Sequence, residues 1–311
     1  MEWLIPFHRN PSKLFLVAVK HILVTGANGQ LGRELQDLEA SYPQYQFQFV
    51  TRQQLPIDEE AAVNAYFDSN PVDCCINCAA YTAVDKAESE QEKATAVNGY
   101  GTGYLAAACY ARNASFIHIS TDYVFDGNGH QPYPVDYPVH PVNAYGASKL
   151  LGEQLAVQQH PGSIIIRTSW VYSVHGANFV KTMMRLMNER PSLNVVEDQA
   201  GCPTYAADLA RAILHIVPQL PVSQNTEAAT GSIYHYSNSG ATNWYLFAKA
   251  IAENMNSTCE VHPIPSSQYP TPAKRPAYSV MDCSKIVQQF GVSVPRWEES
   301  LQRCMNLLLN A

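Results

Sequence analysis

Between an apolar run and an amphipathic one, the chain reads Val24-Thr25-Gly26-Ala27-Asn28-Gly29-Gln30-Leu31-Gly32. Glycines spaced GxxGxxG at a strand-to-helix junction leave few folds open. They permit a tight turn, let backbone approach a pyrophosphate, and let the helix pack closely on the strand. The following helix aims its free amides and the positive end of its dipole at the same loop, which suits phosphate groups. On this reading Gly26, Asn28, Gly29, Gln30, Leu31 and Gly32 form the rim of a dinucleotide site. A glycine turn with a purely structural role is the alternative.

The rest of the first half supports the first reading, because short apolar runs alternate with helical patterns. Strands are predicted at 21–25, 47–51, 73–77, 116–120 and 163–168. Helices are predicted from 31–38, around 59–69, over the 88–112 region and around Tyr145 and Lys149. The strands are nearly continuous apolar runs, as expected when helices cover both faces of a parallel sheet. The predicted class is α/β, a doubly wound parallel sheet of the Rossmann type with a smaller C-terminal substrate domain. The expected divisions are an N-terminal extension (1–20), a dinucleotide-binding domain (21–170) and a mainly substrate-binding domain (171–311). Some segments of the last division are expected to return to the Rossmann core. Past residue 170 the alternation weakens, and Pro263, Pro265, Pro270, Pro272 and Pro276 crowd one stretch.

The 311 residues carry a net charge of −7, which argues against a nucleic-acid partner, since that surface is basic. The apolar stretch 14–19 is too short to span a bilayer, so no membrane is expected and the protein is read as cytoplasmic. Cys74, Cys75 and Cys78 superficially offer a CxxC, but they lie in the run of the predicted strand 73–77. An odd separation then puts Cys75 and Cys78 on opposite faces, and small-apolar packing is the better reading than metal or redox chemistry.

Tyr145 and Lys149 are four apart in Ala-Tyr-Gly-Ala-Ser-Lys and share a helix face. A free phenol, with a pKa of about 10, is a poor proton donor or acceptor at neutral pH, and a neighbouring cation favours its ionised form. Such a pair behind a dinucleotide loop suits hydride transfer coupled to protonation of a carbonyl oxygen. Strand two ends Val50-Thr51-Arg52, without the acid that pairs with a ribose 2′-hydroxyl. Arg52 can instead meet a 2′-phosphate, which favours NADPH and leaves NADH compatible.

With these pieces placed, residues 20–311 resemble the extended short-chain dehydrogenase/reductases, and within them the dTDP-4-dehydrorhamnose reductases. Four runs carry the resemblance: 81–90 (YTAVDKAESE), 120–127 (STDYVFDG), 167–172 (RTSWVY) and 269–276 (YPTPAKRP). It implies reduction of dTDP-4-dehydro-6-deoxy-L-mannose to dTDP-L-rhamnose. It also implies Tyr145 as proton donor, Lys149 as the group that lowers its pKa and holds the nicotinamide ribose, and Thr121 on the substrate carbonyl. Asp122 and Trp170 look like substrate contacts, Arg275 a partner for the substrate diphosphate, and Ala79, Ala80 and Tyr81 the adenosine-side groove. A homodimer is in keeping with the resemblance. Pro56 departs from it by standing where such reductases commonly carry aspartate. Some members hold magnesium between subunits through glutamates; Glu34 matches one position, but near Ala207 the matching carboxylate is missing, so no metal is expected. Two rivals share the resemblance: another nucleotide-sugar epimerase or dehydratase, and a non-catalytic regulatory subunit of methionine adenosyltransferase.

Overall fold

The computed structural model describes residues 20–220 and 232–310. The expected N-terminal extension lies outside these residues, apart from Lys20, which already belongs to the first strand. Five strands follow in order: β1 (Lys20–Thr25), β2 (Tyr45–Val50), β3 (Cys74–Asn77), β4 (Ser115–Thr121) and β5 (Ile164–Thr168). A sixth, Ser232–His235, pairs with β5 at the edge. All pairings are parallel, and the order across the sheet is β2, β1, β3, β4, β5, then the sixth strand.

Successive strand residues enter opposite cores. Ile22, Val24, Cys74, Ile76, Ile117 and Ile166 face one side, against the helices Gln30–Leu38 and Ala206–Ile216. Leu23, Cys75, Phe116 and Ile165 face the other, against Glu60–Ser69, Gly101–Ala111 and Ala144–Gln159. Both faces are dry, which is why the strands read as unbroken apolar runs. Cys75 and Cys78 fall into opposite cores, and all eight cysteines are free thiols.

The long helix predicted over 88–112 is built in pieces: Val84–Ala87, Gln91–Ala94, a π-helical segment Thr95–Tyr100, and Gly101–Ala111. Glycines explain its packing. A Cβ at Gly99 would stand 2.7 Å from the Leu151 side chain, and one at Gly152 would strike the Asn98 carbonyl. The helix Ala144–Gln159 therefore approaches the π segment backbone to backbone.

That helix is also tied down by charge. Arg167 on β5 donates from Nε and Nη2 to the two oxygens of Glu153, at 2.9 and 2.7 Å, and Ser120 donates to the same carboxylate at 2.5 Å. Both side chains are almost fully buried, at 2% and 3% exposure. Glu153→Ala is expected to cost about 3–5 kcal/mol in urea unfolding, because Arg167 is left charged and unpaired. Replacing both residues by methionine should cost much less; equal costs for the single and double variants would refute the pairing as the cause.

Candidate active site

The chain reverses its direction of travel across the sheet between β1 and β3, and the loops leaving those two strands bound a crevice at their C-terminal ends. The crevice is a cleft of about 620 Å³ lined by Gly26, Asn28, Gly29, Gln30, Leu31, Gly32, Arg52, Ala79, Ala80, Tyr81, Tyr145 and Lys149, so each cofactor residue expected from sequence borders one space. Gly26 has φ +69°, and a Cβ there would lie 2.6 Å from the Ala79 amide nitrogen. At Gly32 a Cβ would come within 2.5 Å of the Gly26 carbonyl. The loop is thus a cradle that side chains would fill, and it suits a pyrophosphate.

Neighbouring segments hold the cleft walls. Gln30 donates to the Val171 carbonyl at 3.4 Å and accepts from Asn178 at 2.9 Å. Asn98 grips Tyr81 at both backbone groups, accepting from its N–H at 2.8 Å and donating to its carbonyl at 3.0 Å. Asn98 was not singled out by sequence, because nothing beside it marks its partner Tyr81, 17 residues earlier. At the mouth, Arg52 pairs with Asp58 at 2.9 Å and is 61% exposed. Asp58 also lines the cleft and was likewise missed.

Tyr145 lies in the first turn of its helix, which Asn143 caps by accepting from the Gly146 N–H at 2.8 Å. Burial pushes the phenol up to about 12, and the nearby Thr121 hydroxyl offsets part of that rise. The expected lowering by Lys149 is not found in this arrangement. The lysine Nζ is turned to β4, donating to the Ile119 carbonyl at 2.6 Å and lying 3.1 Å from His118 Nε2. The reason is that a buried amine takes the nearest acceptors, and burial pulls Lys149 down to about 8.

Thr121 ends β4, donates to Asp122 Oδ1 at 3.0 Å, and accepts from the Tyr123 N–H at 3.2 Å. Asp122 is 2% exposed, and burial raises it to about 6. Among the described residues its second oxygen has no hydrogen-bond partner within bonding geometry; the Ser279 hydroxyl stands near but donates, at 3.4 Å, to the Ala200 carbonyl.

Trp170 takes a left-handed backbone, φ +47°, and its indole stacks on Trp244 at 3.6 Å and 10°. Gly201 presses on its other side, since a Cβ there would lie 2.5 Å from the ring. Trp244 lines a second cleft of about 780 Å³ with Arg190, Gln199, Tyr269 and Arg275. Arg275 is not a free cation: its two Nη atoms each donate at 3.0 Å to Asp85, whose carboxyl it holds below its ordinary range.

A metal fits poorly at the position that the resemblance suggested. A carboxylate does stand beside Ala207, that of Asp208, but Arg303 donates to both its oxygens at 2.8 and 2.6 Å, and Ser300 and Asn238 add further bonds. Glu34 instead gathers with Asp37 and His175, and accepts from Ser173 at 2.5 Å.

The Asp122 shift has a measurable consequence. Its carboxyl titrates near 6 when folded but near 3.9 when unfolded, so its favourable contribution is full below about pH 4 and is lost as pH rises through about 6. Asp122→Asn is therefore expected to raise the melting temperature at pH 8, by up to about 3 kcal/mol of stability, and to change little at pH 4. An equal effect at both pH values would contradict this.

The chain matches the family described as the RmlD substrate binding domain over residues 20–310. It is 41% identical to a dTDP-4-dehydrorhamnose reductase of Burkholderia thailandensis, over 93% of this chain and 99% of that one. A solved dTDP-4-dehydrorhamnose reductase of Clostridium acetobutylicum superposes with a TM-score of 0.87 at 39% identity, covering 93% and 99% of the two chains. That of Bacillus anthracis, solved in complex with NADP, gives 0.86 at 37% identity, with the same coverage. A UDP-glucose 4-epimerase of Thermotoga maritima, at 18% identity, shares the fold alone. The chain belongs to the dTDP-4-dehydrorhamnose reductase family.

Proposed function

We propose that this protein is the NAD(P)H-dependent reductase that takes dTDP-4-dehydro-6-deoxy-L-mannose to dTDP-L-rhamnose. The observation that carries the reading is the near full-length likeness, at about 40% identity, to reductases of that name. NADPH is the cofactor, a choice supported by the NADP bound to the Bacillus anthracis relative, and NADH is compatible. The glycine cradle would hold its diphosphate, Ala79, Ala80 and Tyr81 its adenosine side, and Arg52 its 2′-phosphate in exchange for Asp58. When bound, the nicotinamide supplies the hydride.

The chain's own residues do the rest. Thr121 donates to the substrate carbonyl oxygen, stabilising charge that develops there. Tyr145 delivers the proton, and Lys149 holds the ribose and supports the phenol. Asp122 and Trp170 contact the sugar. The second cleft takes the dTDP part, with Arg275 sharing its guanidinium between Asp85 and the diphosphate. The epimerase or dehydratase alternative is weaker, because those relatives share only the fold and Tyr123 stands where dehydratases carry an acid. The relatives' names likewise give no support to a regulatory subunit.

Eight free cysteines suit a reducing compartment, and we place the protein in the cytoplasm. Among the described residues no helix is long and apolar enough to cross a membrane. Exposed Tyr100 and Tyr110 offer apolar area for a homodimer.

Oxidation of NADPH and NADH against a panel of dTDP- and UDP-linked 4-keto sugars tests the assignment; failure of every dTDP sugar to react would sink it. Tyr145→Phe is expected to lower kcat by at least about a hundredfold with cofactor affinity nearly intact, and wild-type turnover would remove Tyr145 from the chemistry. Arg52→Ala should weaken NADPH by roughly tenfold and NADH far less, the worth of one charge-assisted contact. Equal losses for the two cofactors, measured by fluorescence titration, would show that Arg52 does not read the 2′-phosphate.

A further inference from the structure

Lys149 ends a buried hydrogen-bond chain whose direction can be read from its other end. The Ala79 backbone N–H donates to Asn77 Oδ1 at 3.2 Å, and the Thr25 hydroxyl donates to the same oxygen at 2.7 Å. A backbone N–H only donates, so this oxygen is identified, and the Asn77 amide nitrogen must lie on the other side. That nitrogen meets Thr102 Oγ1 at 3.4 Å and His118 Nδ1 at 3.1 Å. The Thr102 hydroxyl is itself donated to the Asn98 carbonyl at 2.8 Å, so it accepts from Asn77.

His118 Nδ1 is therefore an acceptor too, and the single hydrogen of the neutral ring sits on Nε2. Nε2 faces Lys149 Nζ at 3.1 Å, while Nζ donates to the Ile119 carbonyl at 2.6 Å. An ammonium has three donors and no lone pair, so it would set N–H against N–H at His118. A neutral amine has the lone pair that this contact requires. With Nδ1 toward Asn77 and Nε2 toward Lys149, the ring is fully buried and lies almost parallel to Phe116, at 13° and 6.3 Å.

We propose that His118 is a positioning residue that holds Lys149 as a neutral amine while Nζ rests on β4, so that the lysine gains its proton only by leaving His118 for the cofactor cleft. Three other titratable groups surround Lys149. Cys78 faces it from the end of β3, and burial keeps that thiol protonated. Glu153, one turn along the same helix, is occupied by Arg167 and Ser120. Tyr145, one turn back, is kept a neutral phenol by burial. Among the described residues none of the three is hydrogen-bonded to Nζ, whose contacts are His118 and the Ile119 carbonyl. The kinetic consequence rests on Lys149 serving the proposed reductase; the tautomer does not.

Two measurements on the full chain separate these. Nitrogen-15 spectra of the imidazoles, with His118 assigned by comparison with His118→Gln, are expected to show the Nε2–H tautomer and no imidazolium from about pH 5 to 9. An Nδ1–H tautomer or a protonated ring overturns the proposal without reference to turnover. In pH profiles of kcat/KM for NADPH-dependent reduction, His118→Leu should move the Lys149 limb up by about one pH unit, the size of one lost hydrogen bond to the neutral amine. His118→Gln, which keeps a donor, should restore the wild-type limb, with cofactor affinity unchanged. Superimposable profiles for wild type, Leu and Gln variants overturn the role of His118. An inactive wild type fails the reductase reading alone, and the ring spectrum then decides this one.

Discussion

The arrangement of the site depends on one close approach, that of the helix Ala144–Gln159 to the π segment Thr95–Tyr100. Gly152 lets the Asn98 carbonyl rest against helix backbone, and Gly99 and Gly103 receive Leu151 and Leu155 from the other side. Interiors of this density leave no slack for an added methyl group. The approach sets two walls at once. It seats Tyr145 and Lys149 beside β4, and it brings Asn98 to Tyr81, whose backbone borders the cofactor cleft. The Asn98 side chain also donates to Ser148, which donates to the Tyr145 carbonyl, so the helix start and the adenosine-side wall share one network. Rigid elements placed in this way hold a proton donor where a loop would let it wander.

Electrostatics in the site follow from burial more than from pairing. Tyr145, Asp122 and Lys149 are each displaced toward their neutral forms, the direction that desolvation dictates. Buried charges elsewhere are matched: Arg167 pairs with Glu153, and the buried Asp208 pairs with the exposed end of Arg303. Among the described residues Tyr145, Asp122 and Lys149 have no such ion-pair partner, so in the proposed reductase the groups assigned to the chemistry are those whose burial is left uncompensated.

Local signals made much of this legible in the sequence. The glycine loop after an apolar strand and the Tyr145/Lys149 spacing depend only on near neighbours, so strand β1, the glycine rim of the cleft and the helix carrying Tyr145 and Lys149 could be read directly. What escaped depends on contacts distant in the chain. The spacing of Lys149 points to Tyr145, but it gives no sign of the contact with His118, 31 residues earlier on another element. Trp244 escaped because nothing near it marks it as the face on which Trp170 stacks. Asp58 escaped because nothing in its neighbourhood marks the turn that brings it back onto Arg52. The π segment escaped because what it packs on, the backbone at Gly152, lies far along the chain on a facing helix. The sixth strand escaped because it enters the sheet from the half of the chain where alternation had faded.

Asp85 and Arg275 are 190 residues apart, in two of the four runs that carry the resemblance, and they meet as one bidentate pair. Two motifs that look independent in the sequence are thus halves of a single contact. A lineage that reversed the charge at one of them would pass through a poorly folded second cleft unless the other changed with it. The two runs are expected to travel together through evolution, and a hybrid gene joined between them would inherit the contact only if both parents carry matching charges.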